Sequence, residues 1–452
     1  MKKSFILLLA LGLASLSFGR VGPVSQYGQL MTGKNSQGKG QIYGSCEGVK
    51  DGAEVQVRGM SLYWSLMPQA VEYWSEEGVT TMVNDMKIQI VRAAMATGNE
   101  DWQGGYKGYA SDPNTQKNLV KTVVEAAIKN DIYVIIDWHS HSAHQQTESA
   151  KEFFKEMAET YGKYDNVIFE VFNEPENISW SDVKSYANQV IQVIRQYSDN
   201  LILVGNPKWD QNPSDAIGNE VTDPKNNTAY TLHYYANAHN WEGSYEWGES
   251  EGLKGEKAMN AGLSVFISEW GTGDANGGGT PNESRNKSWQ DYANRHKLSW
   301  ANWSASYISE GTAAFQGGSS KYSLNYTTSG NLVKGYLSSN PTSYTACGQS
   351  PASSGSKDGY SSNSQGGNNG YDDNTAIVAG ARASMNVSVS GKTLYVSGVK
   401  SASVDIFDLQ GRSLARFSQV SGAVDLASFN AGSYILSVKS GTQVQNRKIT
   451  LK

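Results

Sequence analysis

Up to Cys347, short apolar runs alternate with longer amphipathic stretches. The runs are Glu54–Gly59, Ile88–Ala93, Ile132–Asp137, Val167–Phe172, Leu201–Gly205, Tyr230–Tyr234, Val265–Ser268 and Ser299–Trp303. Their length and near-continuous apolar character predict buried strands. Between them, Thr115–Asn130, Ser149–Tyr161 and Ser181–Ser198 repeat apolar residues at helical spacing, and Ser, Thr or Asp marks several helix starts. Strand–helix alternation predicts a parallel sheet with crossover helices. Eight such units in about 300 residues fit a closed (β/α)8 barrel, an α/β fold, better than an open sheet. No glycine-rich phosphate fingerprint follows the first run, which argues against a dinucleotide-binding fold.

The pattern changes after Cys347. From Gly348 to about Asn374 the chain is Gly, Ser, Asn and Asp, as in Ser361-Ser362-Asn363-Ser364-Gln365-Gly366-Gly367. Such a segment cannot bury enough surface to fold and is expected to be a flexible linker. Beyond it, Thr393–Ser397, Ser403–Phe407 and Ser433–Val438 alternate apolar and polar residues with turns between. Period-two patterning there predicts a small all-β sandwich. At the other end, Met1-Lys2-Lys3, an apolar run from Phe5 to Leu16 and Ser17-Phe18-Gly19 have the anatomy of a secretory signal peptide. That run is short for a membrane span, and no later stretch is long enough, so no transmembrane segment is expected. The expected organisation is a signal peptide at 1–19, a barrel at 20–347, a linker at 348–375 and a sandwich at 376–452.

A formal net charge of -5 with mixed signs leaves no basic stripe. Nucleic acid and anionic membranes are poor partners for such a surface, and a neutral, hydroxyl-rich one fits better. The 25 Tyr and 12 Trp against 11 Phe favour rings with a polar tip, which suit a sugar cleft and an ordinary core alike. The two cysteines, Cys46 and Cys347, would join the start and end of the barrel if an oxidising compartment pairs them; two free thiols are the alternative.

In a (β/α)8 barrel the site is built at the C-terminal ends of the strands. Those ends carry Arg92, then Asp137-Trp138-His139, then Asn173-Glu174-Pro175. Trp209 follows the fifth strand, His233-Tyr234-Tyr235 the sixth, Glu269-Trp270-Gly271 the seventh and Trp303 the eighth. Chance would scatter such groups. Glu174 and Glu269, ending strands across the barrel from one another, supply the carboxyl pair that glycoside hydrolysis needs. Either glutamate alone could be a structural ion-pair member. His139, His141 and His144 could be read as a metal cluster, but no Cys or acidic residue completes the set at usual spacing. No metal is assigned, and His141 and His144 are read as loop residues. Trp138, Trp270 and Trp300 are assigned to the barrel wall.

Val171-Phe172-Asn173-Glu174-Pro175 resembles the asparagine–glutamate–proline signature of glycoside hydrolase family 5. Around it, Ile135–His139, Ser268–Thr272 and Ser299–Ser304 resemble the endo-β-1,4-glucanases (cellulases) of that family, across about Gly40 to Phe315. The resemblance implies a retaining enzyme without a cofactor, with Glu174 as acid/base and Glu269 as nucleophile. Glu174 would need a raised pKa and Glu269 would stay ionised. Arg92 and Tyr235 would hydrogen-bond Glu269, and Asn173 would contact the sugar 2-hydroxyl. His139 and His233 would bind hydroxyls or orient the carboxylates, and Trp209 and Trp303 would stack on sugar rings.

Two positions depart from that pattern. Tyr63 stands where the family's cellulases carry a histidine, and Ile308, with Glu310 nearby, where a glycone-side lysine is usual. A β-1,4-glucan is the favoured substrate. A β-mannanase on the same barrel, or a catalytically dead sugar-binding adhesin, are the alternatives. The C-terminal segment, from Leu394 through Gly432-Ser433-Tyr434 to Lys452, resembles sorting domains of the type IX secretion system. That implies contact with secretion machinery and a secreted or cell-surface bacterial protein, expected to be a monomer.

Overall fold

Eight parallel strands form the closed sheet: β1 (Arg58–Leu62), β2 (Ile90–Ala96), β3 (Tyr133–His139), β4 (Val167–Glu170), β5 (Ile202–Val204), β6 (Thr228–Thr231), β7 (Val265–Gly271) and β8 (Trp300–Ala305). Each pairs with its neighbours in chain order, and β8 closes the ring on β1. The computed structural model describes residues 20–98, 107–246, 248–348, 386–390, 392–397, 401–407, 413–420, 422–440 and 443–451. The expected signal peptide, and the linker apart from Gly348, lie outside them. The chain divides into two units, Met1–Gly355 and Ser356–Lys452.

The helices α1 (Glu76–Met86), α2 (Pro113–Asn130), α3 (Thr147–Tyr161), α4 (Trp180–Ile194), α5 (Glu251–Asn260), α6 (Glu283–Arg295) and α7 (Thr328–Leu337) surround the strands. Ser75, Asp112, Ser179, Ser250, Asn282 and Thr327 cap the N-termini of all of these but α3, each side-chain oxygen accepting from a backbone N–H of the first turn. The crossover from β5 to β6 is instead made of short helical turns, Pro207–Asp210 and Pro213–Ala216.

Strand parity sorts the side chains. Val91, Ala93 and Met95 of β2 and Val134, Ile136 and Trp138 of β3 pack outward in the large core under the helices. Ile90, Tyr133 and Ile135 belong to a separate cluster at the bottom of the barrel. Arg92, Asp137 and His139 continue that inward parity toward the upper end. Trp138, Trp270 and Trp300 lie in the outer core, buried in the barrel wall.

Strand β7 breaks this regularity. Its Val265 pairs with Tyr230, yet Trp270 pairs with Tyr234, so β7 carries one residue more than its neighbour between those points. A register shift against β8 falls at the same place. The extra residue is a β-bulge, and it reverses the parity of everything after it. Ser268 and Glu269 therefore both face inward, while Trp270 turns out to the core.

The first strand begins later than its apolar run suggests. Val55 and Val57 are buried with Val24, Leu30 and Ile42 at the bottom of the barrel. Val55 N donates to Ile42 O at 2.9 Å. These residues extend a hairpin, Leu30–Lys34 with Gly40–Gly44, that plugs the N-terminal end.

The described residues from Asn386 to Leu451 form two antiparallel sheets. Strands β9 (Asn386–Ser390), β10 (Thr393–Ser397) and β13 (Gly422–Asp425) form one, in the order β9-β10-β13. The other is β12-β11-β14-β15, from Ser413–Val420, Ala402–Phe407, Gly432–Ser440 and Gln443–Leu451. Alternation decides the faces: Leu394 and Val396 are buried and Tyr395 between them is exposed.

Cys46 and Cys347 form a disulfide, Cα–Cα 5.7 Å, across a sequence separation of 301. Cys347 N also donates to Ser25 O at 2.8 Å, so the end of the barrel is stitched to its beginning. Closing a loop this long restricts the unfolded chain, with an upper limit of about 5 kcal/mol. Cys46→Ser with Cys347→Ser is expected to lower the barrel's melting temperature by about 5 °C or more. An unchanged melting temperature under scanning calorimetry would show that the bridge closes nothing the fold does not already hold.

Candidate active site

Arg92 is fully buried at the centre of the upper barrel. Its Nε donates to Glu170 Oε2 at 2.6 Å, Nη1 to Glu269 Oε2 at 2.7 Å and Nη2 to Asn173 Oδ1 at 2.6 Å. Asp137 Oδ2 stands 3.0 Å from Nη2. Burial alone would strip a guanidinium of its proton more readily, but Asp137, Glu170 and Glu269 outweigh it and hold Arg92 firmly charged. Burial raises Glu170 too, yet Arg92 and His233 overcome that and set it at about 2. For Asp137 burial wins over Arg92, and its carboxyl is pushed up.

Glu269 accepts a second bond, from the Tyr235 hydroxyl to Oε1 at 2.9 Å. Each of its two oxygens thus accepts from a different donor. Gly271 makes this contact available, since a Cβ there would stand 2.2 Å from the Tyr235 ring. The β7 bulge aims Glu269 at Arg92; regular pairing would turn it to the helices.

Glu174 is held by two imidazoles. His233 Nδ1 lies 2.9 Å from Oε1, and His141 Nε2 lies 3.3 Å from Oε2. One oxygen of Glu174 and one of Glu269 lie within 4.8 Å of each other. The expected raised pKa of Glu174 is corrected by this geometry. Burial pushes it up, but hydrogen bonds from His141 and His233, with their charges, hold it below the usual carboxylate range. His141 answers in the opposite sense. Burial lowers it, and Glu174 and Glu176 together raise it to about 9. His141 is thus no bystander in a loop: its Nδ1 meets Glu176 Oε1 at 3.3 Å while its other nitrogen faces Glu174.

His139 pairs with Asp137 Oδ2 at 2.7 Å and stacks on Trp303, centroids 5.3 Å apart. Burial and the nearby Arg92 lower its pKa to about 3, so it stays neutral. His144 stacks on Phe172 instead, and the three histidines do not converge on a point. Among the described residues the groups close enough to chelate an ion are Glu170–Asp210–His233 and Glu174–His233–Glu269, where His233 already serves as cation.

The cleft has two lobes that share Glu174, Tyr235 and Ala275. One, of about 330 Å³, is lined by Trp209, Gln211, His233 and His239. The other, of about 180 Å³, is lined by Tyr63, Trp64, His139, Glu269, Trp303 and Glu310. Trp209 and Trp303 thus stand on opposite sides of the carboxyl pair. At the two positions that depart from the family pattern, Tyr63 donates to Glu310 Oε1 at 2.8 Å, and Ile308 packs against the Tyr63–Trp303 cluster.

Two carboxyl groups facing each other across an aromatic-walled cleft can protonate, attack and hydrate an acetal. Residues 49–309 match the family model described as cellulase, glycosyl hydrolase family 5. The chain belongs to glycosyl hydrolase family 5. Endoglucanase Z of Dickeya dadantii (strain 3937) is 41% identical over 288 residues, covering 63% of this chain and 62% of that protein. This family 5 barrel also superposes on a solved structure from Cytophaga hutchinsonii with TM-score 0.61 and 36% identity, over 70% of this chain and 96% of that one. The catalytic domain of Thermobifida fusca endoglucanase Cel5A, in complex with cellotetraose, gives TM-score 0.58 at 27% identity, over 71% of this chain and 100% of that one. Residues 383–452 match the model of the secretion system C-terminal sorting domain.

The structure brings Arg92, His139, Asn173, Glu174, Trp209, His233, Tyr235, Glu269 and Trp303 to one end of the family 5 barrel. Sequence reasoning passed over His141, Asp210 and Glu170. The spacing of His141 from Glu174 in the chain held no signal, because the two meet only through neighbouring strand ends.

The stability that His141 gains from its carboxylates is present below about pH 6.5, its ordinary value, and is lost as pH rises through about 9. Nitrogen-detected NMR is expected to show His141 titrating near 9 while His139 stays neutral from pH 5 upward. A His141 midpoint near its ordinary value would contradict the pairing.

Proposed function

We propose that this chain is an exported, retaining endo-β-1,4-glucanase that cleaves by double displacement through Glu174 and Glu269. The observation that carries this is the approach of their oxygens to within 4.8 Å. Retaining glycosidases place the two carboxyl groups about 5–5.5 Å apart, while inverting ones need roughly 6.5–9.5 Å to admit a water.

Glu269, held by Arg92 and Tyr235, attacks the anomeric carbon. Glu174 gives its proton to the glycosidic oxygen as the C–O bond breaks, and the aglycone leaves from the Trp209 lobe. Water then enters, Glu174 takes its proton, and the hydroxide displaces Glu269 with net retention. Glu174 exchanges the proton it needs with the imidazoles beside it: transfer from His141 to Oε2 makes the acid, and the return makes the base. Asn173 is turned for its part by Arg92. Its Oδ1 is occupied, while its buried Nδ2 has no partner among the described residues and is a ready donor to a sugar 2-hydroxyl.

An aromatic-lined cleft whose floor charges are paired with one another suits a neutral glucan, and the cellotetraose-bound relative supports β-1,4-glucan in particular. The match to a sorting domain supports export, and the disulfide fits an oxidising destination.

The test is product release from cellohexaose and mannohexaose side by side. Cleavage of the glucan alone, abolished in Glu269→Gln, is expected. In kcat/KM, which reads the first, bond-breaking step, Glu174→Gln should lose about 10²–10⁴-fold on poor leaving groups and little on good ones. Cleavage of mannohexaose alone would overturn the substrate, and an equal loss on both leaving-group classes would overturn the acid.

A further inference from the structure

Lys208, Trp209 and Asp210 are three consecutive non-glycine residues in the left-handed region, with φ of 61°, 54° and 58°. Each costs free energy to hold there. The turn is fixed by backbone bonds to the segment beyond Glu174: Lys208 N to Glu176 O at 2.9 Å and Trp209 N to Pro175 O at 2.8 Å. Asp210, which ends the turn, is fully buried. Its Oδ1 accepts from Asn206 N at 2.6 Å and its Oδ2 from Thr231 Oγ1 at 2.5 Å.

The same carboxylate faces the acid/base. His233 Nε2 lies 3.3 Å from Asp210 Oδ2, and its backbone N donates to Asp210 O at 3.0 Å. The other ring nitrogen of His233 is the one on Glu174. Asp210, His233 and Glu174 thus form a carboxylate–imidazole–carboxylate row, and Trp209, the residue before Asp210, lines the same lobe of the cleft as Glu174.

We propose that Asp210 is a positioning residue: it holds His233 with Nδ1 on Glu174 while its backbone carries Trp209 into the cleft, so one turn sets both acid/base and aglycone platform. This rests on Glu174 being the acid/base. A structural aspartate would serve only the turn, through Asn206. The two roles separate on charge.

His233 is faced by Glu170 from β4, Glu174 from the loop after β4, Asp210 from the turn after β5 and Glu269 from β7, with Asp137 of β3 and the cation Arg92 of β2 close by. His141 bears on it through Glu174. Burial would discharge His233, but its acidic neighbours, Asp210 first, keep it charged; burial also pushes the Asp210 carboxyl up, against the pull of His233, Thr231 and Asn206, so the two share one proton-binding row. Its Nε2–H then has both Ser268 Oγ, at 2.8 Å, and Asp210 as acceptors. Taking one negative charge out of this row lowers its affinity for the proton that Glu174 uses, whichever atom holds it.

Asp210→Asn keeps an acceptor for Asn206 and tolerates the left-handed backbone, so the turn persists while the charge goes. On a substrate with a poor leaving group, the alkaline limb of kcat/KM is expected to move acidward by roughly one pH unit or more. A substrate with a good leaving group should show no matching shift. An unchanged limb, or a pH-independent loss on both substrates, would overturn the proposal while leaving the acid/base reading in place. That reading has its own failure: equal losses in Glu174→Gln on both substrates. Should Asp210→Asn not fold, the wild-type protein still decides. Nitrogen-15 shifts must show both ring nitrogens of His233 protonated at pH 7, and a neutral ring with a bare Nε2 would overturn the role.

Discussion

The upper barrel depends on keeping one guanidinium charged without water. Arg92 has no exposed surface, and its partners come from four strands or their ends: Ser61 from β1, Asp137 from β3, Glu170 and Asn173 from β4, and Glu269 from β7. A buried cation of this kind is tolerable only with full pairing, and removing a partner is costly because the remaining charges stay behind. The barrel cannot slip in register around it without breaking several charge-assisted bonds at once. Electrostatics here fixes geometry.

That constraint propagates outward. Because Arg92 takes Glu269 on one side and turns Asn173 on the other, the proposed nucleophile and the amide proposed for the 2-hydroxyl are set by the same group. Glu170 links Arg92 to the second cation, His233, and His233 links to Glu174. Carboxylates and cations alternate across the floor, so each charge is largely cancelled by its neighbours. The two sides of the cleft are thereby differentiated without different chemistry: one glutamate sits between a guanidinium and a phenol, the other between two imidazoles that can trade a proton with it.

Much of this was legible in the sequence because a barrel turns strand order into spatial order. A run that ends in Asn173-Glu174 and one that ends in Glu269 must place their ends on the same rim, whatever the loops do. What could not be read depends on events off that lattice. Parity along β7 alone would send Glu269 outward, and only the bulge before Trp270 reverses it. The hairpin at Leu30–Gly44 gave too short an alternation to register, although it closes the bottom of the barrel. His141 looked like loop because the carboxylates it meets, Glu174 and Glu176, arrive from the next strand end. The raised pKa expected for Glu174 came from its acid/base role; His233 was foreseen beside a carboxylate, His141 was not, and together they hold the carboxyl down. Asp210 lies in a stretch, Asn206–Pro213, where no residue pattern marks three left-handed non-glycine residues in a row.

The central claim is that Glu269 becomes covalently bonded to the sugar while Glu174 handles the proton. Incubating the protein with a 2-fluoro cellobioside bearing a good leaving group slows both steps, the second more, and so traps the glycosyl-enzyme. Peptide mass spectrometry of the trapped protein is predicted to find one fluorocellobiosyl group, on Glu269. A label on any other residue, or an inverted anomeric product seen by proton NMR with no label at all, would contradict the account.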